Sequence, residues 1–226
     1  MSVGRIRGAL FRELDVHFAS HGFRRVNDRF YGDAYYRDSG GTRYGIHAGS
    51  RRYLDSLEAQ VGSLTVRFDA VEELVAKFED PHPLIRPEDI AARSTLTVQV
   101  ATFDLVPGDL LYGFGGVRNK LWLIESIEGV TSTAREMAAY AIEMSESVFP
   151  ELSDADRALG ILSRDDDLSR TYKGPDEARG KAAIALAFLT KGLDAAMQLA
   201  DVKMKRLKGE ARSELSRWVR RLAAES

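Results

Sequence analysis

The sequence predicts an α+β protein, in which an N-terminal helix packs on a mainly antiparallel sheet and a C-terminal all-helical region follows. Three observations predict it. Ile6, Leu10, Leu14 and Phe18 recur every four residues, the spacing of one helical face. From Arg29 the apolar period falls to two, as in a strand with one buried face. Beyond Gly129 the pattern is helical again and stays so. The change near residue 130 divides the chain into a sheet domain, 1–130, and a helical region, 131–226, either as two domains or as layers of one unit.

Each element has a local reason. Gly22 supplies the left-handed residue that ends the first helix, and Phe23 is placed to fold back on its last turn. Phe30, Ala34 and Tyr36 then alternate with Arg29, Tyr31, Asp33, Tyr35 and Arg37. Ser39-Gly40-Gly41 turns the chain, and Tyr44, Ile46 and Ala48 alternate with Arg43 and His47. These two runs predict an antiparallel hairpin. Leu64, Val66 and Phe68 predict a strand over 61–68, and Leu96, Val98 and Val100 another over 94–103. Asp69 is placed to cap a helix bearing Val71, Leu74, Val75 and Phe78. Pro81, Pro83 and Pro87 impose an extended connection, and a short strand is expected over 121–124.

In the helical region, Thr133 with Glu136 reads as a capping box for a helix that Phe149-Pro150 stops. Ser153 with Asp156 repeats the signal. Gly174-Pro175 opens an Ala-rich helix that ends near Gly192, where the next begins. Met204, Leu207, Ala211, Leu215, Trp218 and Leu222 keep a helical spacing through Gly209, which predicts one helix there.

Composition excludes several function classes. The 226 residues include no cysteine, which removes disulfides, thiolate nucleophiles and Cys-based metal sites. With 32 Lys+Arg against 34 Asp+Glu, the chain is not a wholly basic nucleic-acid protein. The charge is uneven, however. Residues 1–52 hold ten Arg and five acids, residues 53–94 four bases and nine acids, and residues 201–221 eight bases and three acids. The longest apolar run, 182–189, is far short of the roughly 20 residues of a spanning helix. No apolar run of signal-peptide length follows Arg5, Arg7 and Arg12. The expectation is a cytoplasmic protein with no membrane partner.

Four constellations are candidates for chemistry. His17 and His21 stand four apart on the first helix, the spacing that lets two imidazoles hold one metal. Phe18 stands where a zinc-hydrolase helix carries its glutamate, so no metal site and no cofactor are assigned. Gly115, Gly116, Arg118 and Lys120 resemble a phosphate cradle, glycines admitting an anion and cations neutralising it. No Ser or Thr follows Lys120 as a P-loop requires. Alternation places Arg29, Tyr31, Tyr35, Arg37, Arg43 and His47 on one hairpin face. Thr65, Arg67, Thr97 and Gln99 extend it if the later strands join the sheet. Arg and Tyr together grip phosphates, stack on bases or anchor a protein partner. The basic last segment, with Trp218 as an anchor, reads as a docked helix with a charged outer face.

An opening amphipathic helix, Gly22-Phe23, an aromatic hairpin, Trp122 on a strand and a helix ending Val148-Phe149-Pro150 together resemble uncharacterised bacterial families described as domains of unknown function. That resemblance covers the first two-thirds of the chain. It implies a fold class, and no activity or catalytic residues. The expected function is a non-enzymatic macromolecule-binding module of immunity or regulatory type, with a protein partner. The alternatives are nucleic-acid binding through the same Arg/Tyr face, or a His-dependent metal hydrolase.

Overall fold

Helix α1, Val3–Ala19, ends as its sequence dictates. Gly22 takes φ +79, Phe23 N–H returns to the Phe18 carbonyl at 3.0 Å, and the two rings meet edge-on at 6.3 Å. The computed structural model describes residues 2–28, 32–80, 93–99, 120–166 and 172–225. The protein is α+β, with an antiparallel sheet followed by helices. The strands are β1 (Arg24–Asp28), β2 (Gly32–Ser39), β3 (Thr42–Tyr53), β4 (Ser56–Phe68), β5 (Leu96–Gln99) and β6 (Leu121–Ile124). The helices after α1 are α2 (Asp69–Phe78), α3 (Val130–Ser153), α4 (Ala155–Ser163), α5 (Asp176–Lys191), α6 (Leu193–Arg206) and α7 (Gly209–Ala224). The sheet order is β1-β2-β3-β4-β5, with β6 also paired to β4.

Several boundaries differ from expectation for identifiable reasons. Strand β1 begins before Arg29, as a partner for β2 from Arg24↔Tyr36 to Asp28↔Gly32. Its sequence, Arg-Arg-Val-Asn-Asp, has too little alternation to announce a strand. Helix α3 starts at Val130, ahead of the Thr133 box, with Thr133 N–H bonded to the Gly129 carbonyl at 3.1 Å. It also runs through Pro150. The ring removes one ladder bond, at about 3 kcal/mol, but Phe149 and Leu152 beside it are buried, at 3% and 0% exposure. Burying two such side chains contributes about that much or more. The cap of α4 is Asp154, which accepts from Arg157 N–H at 2.8 Å, one residue beyond Ser153. The stripe from Met204 to Leu222 is not one helix: the chain leaves the helix at Leu207 and Lys208, and Gly209, at φ +55, is the first residue of α7. A residue without Cβ makes that break inexpensive.

The chain forms two compact units. The first comprises Met1–Ser39, Arg43–Thr65 and Val98–Pro150; the second comprises Gly40–Thr42, Val66–Thr97 and Glu151–Ser226. In the first, Leu10, Leu14 and Phe18 of α1 are fully buried, and Phe18 meets Tyr35 of β2 at 4.3 Å. Phe149 of α3 lies 6.3 Å from Phe23 and 5.0 Å from Tyr44. Trp122 of β6 packs edge-on to Tyr140 of α3.

The second unit is built around α5. Residues from Arg179 to Ala187 are all buried, so this helix is enclosed on every side. Helix α7 docks on α2: Trp218 Nε1 donates to the Val75 carbonyl at 3.0 Å, and Arg221 to the Phe78 carbonyl at 2.9 Å. These bonds satisfy carbonyls that the end of α2 leaves without helical partners. Arg179, fully buried, donates to Asp176 at 2.6 Å and to the carbonyls of Arg164, Lys173 and Gly174. Lys203, 2% exposed, donates to the carbonyls of Leu162, Ser163 and Arg164 and to Asp165 at 2.6 Å. The basic last segment is therefore not only a charged outer face, because part of its charge holds the unit together.

Candidate binding face

The two-residue turn Gly40-Gly41 joins Ser39 to Thr42 and fixes the register of the hairpin. Both glycines take positive φ, the conformation that two-residue hairpin turns require. A Cβ on Gly45 would stand 2.8 Å from the Tyr36 ring and 2.2 Å from the Thr65 hydroxyl. Tyr36, Gly45 and Thr65 are thus neighbours on one sheet face. Tyr35 and Arg37 point the other way. Tyr35 is fully buried and donates to Asp15 of α1 at 3.1 Å. Arg37 donates to the His21 carbonyl and lies over the rings of Phe23 and Tyr44.

The expected face is corrected by one residue in β2. Arg43 and His47 share their side with Tyr36 rather than with Tyr35 and Arg37, because a two-residue turn pairs residues of opposite parity across the hairpin. Burial and the Asp15 bond push the Tyr35 phenol pKa above its usual value. Its proton therefore stays in place as part of the core.

A second register change lies in β4. Gly49 stands beside Gln60, and Arg51 pairs with Glu58 at 2.7 Å, odd residues against even ones. Nearer the hairpin turn, Gly45 and His47 meet Thr65, odd against odd. One extra residue between Gln60 and Thr65 accounts for the switch, as in a β-bulge. The burial of β4 changes there too, from strict alternation to an unbroken buried run.

The polar face of the first unit follows from these registers. Arg43 lies 5.6 Å over the Tyr36 ring and bonds Asp38 at 2.7 Å. His47 meets Tyr36 edge-on, and its Nε2 lies 3.0 Å from the Thr65 hydroxyl. Arg24 shares the face because it pairs with Tyr36, and Val26 because it pairs with Ala34. Leu121 and Leu123 of β6 pair with Gln60 and Glu58, and so join the same face. Val26, Leu121 and Leu123 are about half exposed, at 47%, 53% and 52%. The buried base of this surface is His47 and Thr65. Its accessible parts are Arg24, Arg43, Arg51 and the three apolar side chains.

The remaining candidates are placed as follows. Arg67 belongs to the second unit, 6% exposed, bonded to Asp69 at 2.7 Å and to the Arg93 carbonyl at 3.1 Å. Thr97 is also buried in that unit, 2.7 Å from the Ser94 hydroxyl. Arg29, Tyr31, Gly115, Gly116, Arg118, the three prolines of 81–87 and the Gln99 side chain lie outside the described residues. Lys120 is exposed, lies 5.1 Å over the Trp122 ring and faces Glu136 at 3.5 Å. Among the described residues, no group of three or more His, Asp or Glu could hold a metal ion, and no helix is long and apolar enough to cross a membrane.

Sequence reasoning missed Tyr36, Arg24, Val26, Leu121 and Leu123 as members of the face. The Gly-Gly turn held the signal for Tyr36, since it sets the parity of the hairpin. Nothing local announced the bulge that brings Thr65 to the same side. No family model, no curated protein and no solved structure matches the chain.

Proposed function

We propose that this chain is a non-enzymatic, macromolecule-binding module of immunity or regulatory type, and that its first unit receives a protein partner on the polar sheet face. The observation that supports this reading is the stacked pair Arg43–Tyr36, set on the same face as the exposed side chains Val26, Leu121 and Leu123. Arginine and tyrosine flanked by apolar contacts are the composition of interface hot spots. Cytoplasmic action, and kinship with uncharacterised bacterial domain-of-unknown-function families, belong to the same proposal.

The test immobilises the purified chain and captures partners from the cells that make it. A partner held by the native chain should be lost with the pair Arg43→Ala and Tyr36→Ala, and kept with Arg5→Ala and Arg12→Ala on exposed positions of α1. Equal capture by both double variants would discard the face. Retention of RNA or DNA that falls steeply with salt would favour nucleic-acid binding instead.

A further inference from the structure

Strand β1 ends the sheet. Among the described residues it pairs with β2 alone, so one row of its backbone N–H and C=O groups faces away from the sheet. The two sides of the strand differ. Arg25 turns toward α1, where it meets Asp15 at 3.1 Å and the Phe11 ring at 5.6 Å, with Asp33 of β2 at 3.7 Å. Arg24 and Val26 lie on the other side, both exposed, and Arg24 holds no ion pair among the described residues. Charges on an edge strand ordinarily keep a second strand away. In this strand their order favours one geometry instead. It reads Arg-Arg-Val-Asn-Asp, basic at its start and acidic at its end. An antiparallel copy centred on Val26 sets residue 24 of each copy against residue 28 of the other, a base against an acid both times. The same register brings Val26 against Val26. A parallel copy in register would set Arg24 against Arg24, which is unfavourable.

We propose that a second copy of this chain docks on β1 as an antiparallel strand centred on Val26, so that the sheet continues from one protomer into the other. The backbone edge supplies the hydrogen bonds, and the opposed charges fix direction and register. The pairing is isologous, since each copy presents the same strand to the other. Its two-fold axis stands perpendicular to the sheet. The faces bearing Arg43 and Tyr36 therefore lie on one side of the dimer, and the α1 helices on the other. The dimer does not depend on a partner binding to that face. Association through a five-residue edge is weak, and its exposed ion pairs are screened by salt.

The chain has no cysteine, so a single introduced one reads the register. V26C, oxidised at about 0.5 mM protein, should form a disulfide-linked dimer, because directly opposed residues stand about 5 Å apart at their Cα atoms, within disulfide reach. R24C should not, because residue 24 of one copy lies about 13 Å along the strands from residue 24 of the other. Charge exchange tests the pairing without a crosslink. Sedimentation velocity between about 10 µM and about 1 mM should show a native dimer that Arg24→Asp and Asp28→Arg each weaken by roughly tenfold. The double exchange should restore it, which separates lost pairing from lost folding. A native chain monomeric throughout that range, or a dimer that both single exchanges leave intact, would overturn the proposal. Equal crosslinking of V26C and R24C would do the same, as would a double exchange that stays monomeric.

Discussion

The Tyr36 ring lies within 2.8 Å of where a Cβ on Gly45 would stand, and Arg43 lies over that ring, 5.6 Å from its centre. The absent side chain at Gly45 is what lets the ring and the Thr65 hydroxyl close over strand β3. The face is therefore built on a backbone approach, and three residues depend on it.

Gly45→Ala should destabilise the first unit by about 1–3 kcal/mol, the cost of overpacking a filled site. Alanine in a strand interior is otherwise favoured over glycine, so the sign rests on the clash alone. Gly49→Ala is the comparison, because its nearest neighbour is the Gln60 side chain at 3.4 Å. Thermal unfolding should show a lowered midpoint for G45A and little change for G49A. Equal midpoints would contradict the packing described.

Tyr35→Phe should cost about 1 kcal/mol in denaturant unfolding, the net worth of one buried hydrogen bond, here to Asp15. It should leave partner capture unchanged, because Tyr35 faces α1. Loss of capture in Y35F without loss of stability would return Tyr35 to the binding surface.

Lys203→Met should destabilise the second unit by about 3 kcal/mol, since it leaves Asp165 and three carbonyls short of a donor. Burial holds the Lys203 pKa below its usual value, against the pull of Asp165. Burial pushes the Asp165 pKa up, but Lys203, Arg206 and Arg179 outweigh it and hold the carboxyl below its usual range. The stability from Asp165 is present above the ordinary aspartate range and is lost as pH falls through the lowered value. Acid unfolding followed by circular dichroism should therefore be shallower in Asp165→Asn than in the native chain. Parallel acid profiles would contradict this assignment.

The sequence announced elements better than it announced sides. Helix α1 with its Gly22 end, the hairpin, and the Gly192 boundary were legible because each depends on residues a few positions apart. Faces were not, because parity depends on how strands are registered. Tyr35 and Tyr36 are adjacent and chemically alike, and only the Gly40-Gly41 turn decides which one is buried. The bulge in β4 is a pairing event between distant residues and left no local mark. Arg67 sits in a polar alternation that continues from Thr65, yet it serves Asp69 and Arg93. Gly209 illustrates the same limit in helices, since a stripe with unbroken spacing does not say whether the chain runs straight between its halves.

The binding face proposed for the first unit is the one that carries Arg43 and Tyr36. A photo-crosslinking side chain placed at Leu123, exposed on that face, and another at Val16, 70% exposed on α1, test it directly in cells. A partner adduct is expected at position 123 that disappears when Arg43→Ala and Tyr36→Ala are added, with no adduct at position 16. Hot-spot truncation of this kind weakens binding by roughly tenfold or more. An adduct at position 16 alone, or one at position 123 indifferent to Arg43 and Tyr36, would contradict it.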